Sequence, residues 1–152
     1  MGISKVKASE SEARGDAMKS ARKQVAEYLG SDVKSKFQEV SMSHGLSSQV
    51  VDPSILAREF QEQVSEKLVE LVKDRKWYLE REFDSSGSRG YKLFVLTSLN
   101  LPEVNQQFNE MAKLKKNEAA QKAKEADDKL TKEKWETSLK MWKNFDNEDF
   151  FK

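Results

Sequence analysis

Two kinds of apolar spacing divide this chain. From residue 10 to 43, Ala17/Met18, Ala21, Val25, Tyr28/Leu29, Val33, Phe37 and Val40 recur every three to four positions, the period of a helix with one buried face. Ser9, with Glu12 three residues later, supplies a capping box at its start. Gly30 falls inside the stripe and marks a place for a kink. A strand over residues 32–43 is the rival reading, and the spacing of Val33, Phe37 and Val40 opposes it. After a Ser-rich loop over residues 41–52, Asp52-Pro53 places an N-cap before a proline at the first helical position. Ile55/Leu56, Phe60, Val64, Leu68 and Leu71/Val72 then predict a second helix over 53–74.

At Trp77 the period changes to two. Trp77, Leu79 and Phe83 alternate with Tyr78, Glu80 and Glu82. A turn follows at residues 84–90, containing Gly87 and Gly90. Beyond it Tyr91, Leu93, Val95, Thr97 and Leu99 alternate again, so the two runs predict a β-hairpin. Phe94 and Leu96 on the opposite face predict that its second strand is central and partly buried on both sides. A lone hairpin is marginal in water, so a third strand is required, and residues 3–8 (with Ile3 and Val6) are the segment available. The prediction is an α+β fold in the order β-α-α-β-β-α, with a small antiparallel-containing sheet covered by helices and a long C-terminal helix.

That last helix starts at Leu101-Pro102-Glu103, with Val104, Phe108, Met111/Ala112 and Leu114 as its apolar face. Residues 115–134 then carry only Ala and one Leu as apolar content. Glu118–Lys122, Glu125–Lys129, Asp128–Lys132 and Glu136–Lys140 are acid-then-base pairs at i, i+4, each adding roughly 0.2–0.5 kcal/mol to a helix. Such a segment stays helical while solvated, as a spacer or as an arm lying against a partner. Trp135, Leu139 and Trp142, with Met141 and Phe145 beside them, restore an apolar stripe, and Phe150-Phe151 follow. An isolated apolar stripe rarely stays bare. It folds back, dimerises, binds a partner or packs on a further domain, and Trp135, Leu139, Trp142 and Phe145 form the candidate interaction surface.

Composition narrows the chemistry. The 152 residues suit one domain with an appendage. Lys and Arg number 27 against 26 Asp and Glu, a formal net charge of +1, which opposes a basic nucleic-acid binder. With 35% charged residues and a mean hydropathy of −0.81, a modest core plus a solvated extension is expected. No apolar run reaches the roughly 18 residues of a membrane span, and the first residues lack the apolar core of a signal peptide. The absence of cysteine removes disulfides, thiolate metal sites and thiol nucleophiles. The single histidine, His44, stands in a Ser/Gly loop without ligand or triad partners in sequence. Gly87-Ser88-Arg89-Gly90 lies between two strands, so it reads as a hairpin tip and not a phosphate loop. Asp127-Asp128 and Glu80/Glu82 read as solvated faces. No catalytic, cofactor or metal residues are therefore assigned. Trp77 with Tyr78, and Tyr91 with Phe94, offer an aromatic stacking platform as an alternative to ordinary sheet core.

The Ala/Arg-rich segment over residues 13–26 (Ala13-Arg14-Gly15-Asp16-Ala17 through Gln24-Val25-Ala26) follows a short strand. With it come Gln63-Val64-Ser65-Glu66-Lys67 and the strand Gly90-Tyr91-Lys92-Leu93-Phe94-Val95-Leu96. Over residues 3–112 this pattern resembles the twenty-kilodalton outer-membrane lipoprotein family of bacteria. It is also similar to the N-terminal domain of flagellar assembly protein T. The resemblance implies a cell-envelope location, usually through a lipidated N-terminal cysteine that this chain lacks. It also implies a non-enzymatic structural or protein-interaction role, with an envelope, cell-wall or flagellar partner. On this reading residues 3–112 are the lipoprotein-like domain and 113–152 a charged extension, with membrane attachment only through an anchor outside this chain. A nucleic-acid-binding sheet domain is the alternative.

Overall fold

In a computed structural model, which describes residues 1–43, 52–83, 85–87, 89–145 and 150–151, the protein is α+β. The elements are β1 (Gly2–Ile3), α1 (Glu10–Ser43), α2 (Pro53–Ser65), α3 (Leu68–Leu71), β2 (Val72–Phe83), β3 (Arg89–Leu99), α4 (Leu101–Glu125) and α5 (Lys129–Lys143). They make two compact units. The first contains Met1–Leu29 and Ser65–Asn100, the second Gly30–Val64 and Leu101–Lys152. Helix α1 contributes to both, and α4 lies wholly in the second, so residues on either side of position 112 share one unit.

In the first unit an antiparallel sheet has the order β1-β3-β2, with β3 central as the alternation predicts. Strand β1 is shorter than expected: Gly2 and Ile3 pair with Val95 and Phe94, and Lys7 makes a separate bridge to Tyr91. The start of the chain is tied down by side chains. Leu93 N–H donates to Ser4 Oγ at 2.8 Å, and Lys5 N–H to Asp16 Oδ2 at 2.8 Å. A Cβ at Gly2 would overlap the Ala17 carbonyl oxygen and the Ala21 methyl, so only glycine lets β1 lie this close to α1. Ala13, Ala17 and Ala21 of α1, all fully buried, pack on Leu93 and Val95, with Met18, Trp77, Leu79 and Tyr91 around them. Ser9 caps α1 as its spacing predicts, accepting the Glu12 N–H at 3.2 Å.

The expected second helix is corrected at its C-terminal end. Helix α2 stops at Ser65, one turn of α3 follows, and Val72 already belongs to β2. Leu68, Leu71 and Val72 keep helical spacing, but Val72 pairs with Leu99 and Lys73 with Ser98. The strand partner therefore overrides the local period. The register slips between Asp74 and Lys76, a β-bulge with Arg75 as the extra residue.

The second unit is helical. Asp52 caps α2, accepting the Ser54 N–H at 2.8 Å. Gly30 is buried within the unbroken α1, where a Cβ would meet the Gln61 side chain of α2. The expected solvated arm beyond residue 115 is also corrected. Helix α4 ends at Glu125, and Asp128 caps a new helix by accepting the Thr131 N–H at 2.8 Å. The short link turns α5 back along α4, and Ala119 and Ala123 are buried. Glu118–Lys122 forms at 2.6 Å as an i, i+4 pair, whereas the break takes Glu125–Lys129 and Asp128–Lys132 out of any common helix.

Candidate functional site

The four stripe residues do not form one exposed surface. Trp142 and Phe145 are interior residues of the second unit, at 2% and 4% exposure, and Trp135 and Leu139 are half-buried. The Trp142 ring lies 5.0 Å from Phe37, and Phe145 lies 4.4 Å from Phe37. Phe108 is stacked on Phe150 at 3.9 Å, with Phe60 at 5.7 Å. Trp135 carries the Lys122 ammonium over its face at 4.5 Å. The tail is held by one side chain: Asn105 Nδ2 donates to the Phe151 carbonyl at 3.0 Å, and Phe151 N–H donates to Asn105 Oδ1 at 2.8 Å. The physical reason is that α5 folds back, so the stripe completes a core that α1, α2 and α4 leave open. His44 lies outside the described residues.

An exposed apolar surface lies instead on the sheet. The aromatic pairs read from the sequence separate by strand parity. Trp77 and Tyr91 turn toward α1, whereas Tyr78 and Phe94 turn to the opposite face, which no element among the described residues of the first unit covers. There Ile3, Phe94 and Tyr78 form one rung across three strands, and the Tyr78 and Phe94 rings lie 5.8 Å apart at 52°. Leu96 stands on the next rung beside Lys76. Tyr78 is 62% exposed, Leu96 50% and Ile3 39%, while Phe94 is half-buried. The central strand is thus buried on the helix face and only partly buried on the other, as the alternation predicts.

Charge is distributed unevenly along this open face. The bulge turns Arg75 to the same side as Ser98, whose hydroxyl accepts from Arg75 Nε at 2.7 Å. Lys73, Arg75 and Lys76 therefore gather at the end where β2 begins. Glu80, beside Lys92, and Glu82 lie toward the hairpin. Among the described residues Lys73, Arg75, Lys76 and Lys92 make no ion pair. On the helix-facing side the Arg14 guanidinium sits 4.3 Å over Trp77, whose indole N–H donates to Asp74 Oδ2 at 2.7 Å. That hydrogen bond holds the Asp74 carboxyl below its ordinary value, with a smaller contribution from the Arg14 charge. At the hairpin end an open concavity of about 330 Å³ is lined by Val6, Glu82, Phe83 and Arg89 among others. The Arg89 guanidinium lies 5.8 Å over Phe83, which remains 64% exposed.

The sequence showed which residues share a strand face, but not that this face stays uncovered. The bulge, which brings Arg75 beside Lys76, has no glycine or proline to announce it. Comparison with family models, curated proteins and solved structures gives no match. No described helix is long and apolar enough to cross a membrane.

Proposed function

We propose that this protein is a non-catalytic protein-interaction module of the bacterial cell envelope, and that it meets its partner through the open face of the sheet. One observation carries the reading: Ile3, Tyr78, Phe94 and Leu96 form a contiguous apolar centre, largely solvent-exposed, inside a charged rim. An aromatic centre with a charged margin is the usual anatomy of a protein interface. The envelope location rests on the lipoprotein resemblance, so fractionation of native cells belongs to the test. A photo-crosslinking residue at position 78 or 96 of the native protein should give a discrete adduct in the envelope fraction. The same residue at Tyr28, 67% exposed on α1, should not. Equal labelling from all three positions would refute the assignment of this face.

The second reading, a single-stranded nucleic-acid platform, is favoured by Lys73, Arg75, Lys76 and Lys92 around two exposed rings. Glu80 and Glu82 on the same face oppose a phosphate chain, and rings tilted by 52° do not offer coplanar stacking surfaces. Anisotropy of a labelled oligonucleotide tests it, since binding that falls steeply with salt would favour this reading.

A further inference from the structure

The open face is complementary to itself. Its rungs are arranged about the one formed by Tyr78 and Phe94. One step toward the start of β2 the edge strand presents Lys76, and one step toward the hairpin it presents Glu80. Two steps out, Lys73 and Arg75 stand beside Ser98 at one end, and Glu82 stands beside Gly90 at the other. A two-fold axis lying in the plane of contact, across the strands at the Tyr78–Phe94 rung, reverses strand direction and keeps lateral order. It therefore places β2 over β2 of the mate. Lys76 then faces Glu80, and Lys73 with Arg75 faces Glu82, each relation occurring twice, as an isologous interface requires. Ile3, Tyr78 and Phe94 meet their own copies at the centre.

Building on the open-face reading above, we infer that the occupant of this face is a second copy of this chain, packed sheet against sheet with its β2 antiparallel. The register of charge along β2 favours this occupant: the mate sets Glu80 against Lys76 and Glu82 against Lys73 and Arg75 at both ends, while Lys92 of β3 lies over Leu96 of the mate. The two long strands span roughly 27 Å by 10 Å, and with Ile3 beside them the face offers about 300 Å² from each copy at ordinary strand spacing. That is under half the usual contribution per partner, so the dimer is of the weak, transient kind.

Sedimentation equilibrium of the whole chain from about 10 μM to 1 mM covers weak self-association. The wild type should pass from monomer to dimer, more weakly at high salt. K73E/R75E/K76E makes the charged β2 positions of the face wholly acidic, and E80K/E82K makes them wholly basic. Either variant alone should stay monomeric with an unchanged circular dichroism spectrum, and their equimolar mixture should dimerise. A wild type monomeric at the highest concentration overturns the inference, as do variants that self-associate like the wild type. Crosslinking from position 78 to a different protein, with the chain itself monomeric, would sink the dimer and leave the open-face reading standing. Loss of both would remove the two together. Salt-sensitive oligonucleotide binding abolished by K73E/R75E/K76E, without dimerisation, would overturn the inference in favour of nucleic acid.

Discussion

Removing the Trp142 side chain separates a core residue from an interface residue. Trp142 is 2% exposed, with Phe37 at 5.0 Å and Phe145 at 6.3 Å. A buried indole removes about 200 Å² from water, worth up to ~5 kcal/mol at 25 cal/mol per Å². Truncating a buried Phe or Trp to Ala costs about 3–5 kcal/mol when the cavity does not collapse. Here the Phe37 wall is held by α1, so collapse is resisted. At roughly 2–4 °C per kcal/mol for a chain of this size, Trp142→Ala should lower Tm by about 6–20 °C. Trp135→Ala is the control. It loses a half-buried ring under the Lys122 ammonium, worth about 1–2 kcal/mol. Thermal scans by circular dichroism, with sedimentation at matched concentrations, read both. If Trp142→Ala melts within about 2 °C of wild type and instead loses association, the indole belongs to an interface and the α5 packing is wrong.

Gly2→Val should destabilise the first unit, because the added carbons overlap Ala17 and Ala21. Urea unfolding followed by Trp77 fluorescence should show a lower midpoint, and an unchanged one would mean that β1 does not dock. Asn105→Leu removes both hydrogen bonds to Phe151 and leaves its backbone groups unpaired, at about 1–3 kcal/mol. Limited proteolysis should then trim the C-terminal tail faster, whereas unchanged cleavage would refute the clamp. Phe94→Ala should cost only about 1–2 kcal/mol, because the ring is half-buried on the open face. A cost above about 3 kcal/mol would mean that this face is covered. Asp74 accepts from the Trp77 indole and has its folded value depressed. Its stabilising contribution is therefore full above the ordinary carboxylate value of about 3.9 and is lost as pH falls through the lower folded one. The Trp77 indole proton followed by NMR should shift with a midpoint below the ordinary value, and a midpoint at or above it would contradict the bond.

Local signals carried much of this architecture. Ser9 and the 17–40 stripe marked α1 from Glu10 to Ser43, and alternation around the glycine turn marked the hairpin. What failed depended on distant partners. Nothing in Val72 to Lys76 competes with a helix except pairing with Leu99 to Leu96, some twenty residues away. Whether Trp142 and Phe145 fold back stayed open in the sequence because Phe37, Phe60 and Phe108 are scattered through the chain, and only folding brings them together. One missed signal was present: Asp128 before Thr131 is a good N-cap, but continuous i, i+4 charge pairing disguised the break. The open face was half legible. Alternation separated Tyr78 from Trp77 and Phe94 from Tyr91 within each strand, while the pairing of Tyr78 with Phe94 across strands, and the lack of a covering element among the described residues of the first unit, are properties of topology.

The pairing of β1 with β3 sets a schedule for synthesis. Ser4 exchanges hydrogen bonds with Leu93, 89 residues further along the chain. At 5–20 residues per second the first strand waits roughly 5–20 s for its neighbour to be translated. During that interval the alanine face of α1 has no sheet to pack on. Closing so long a loop also makes β1 docking a late, non-local step. A nascent chain caught before residue 93 should therefore expose Ala13, Ala17 and Ala21 to whatever binds unfinished proteins.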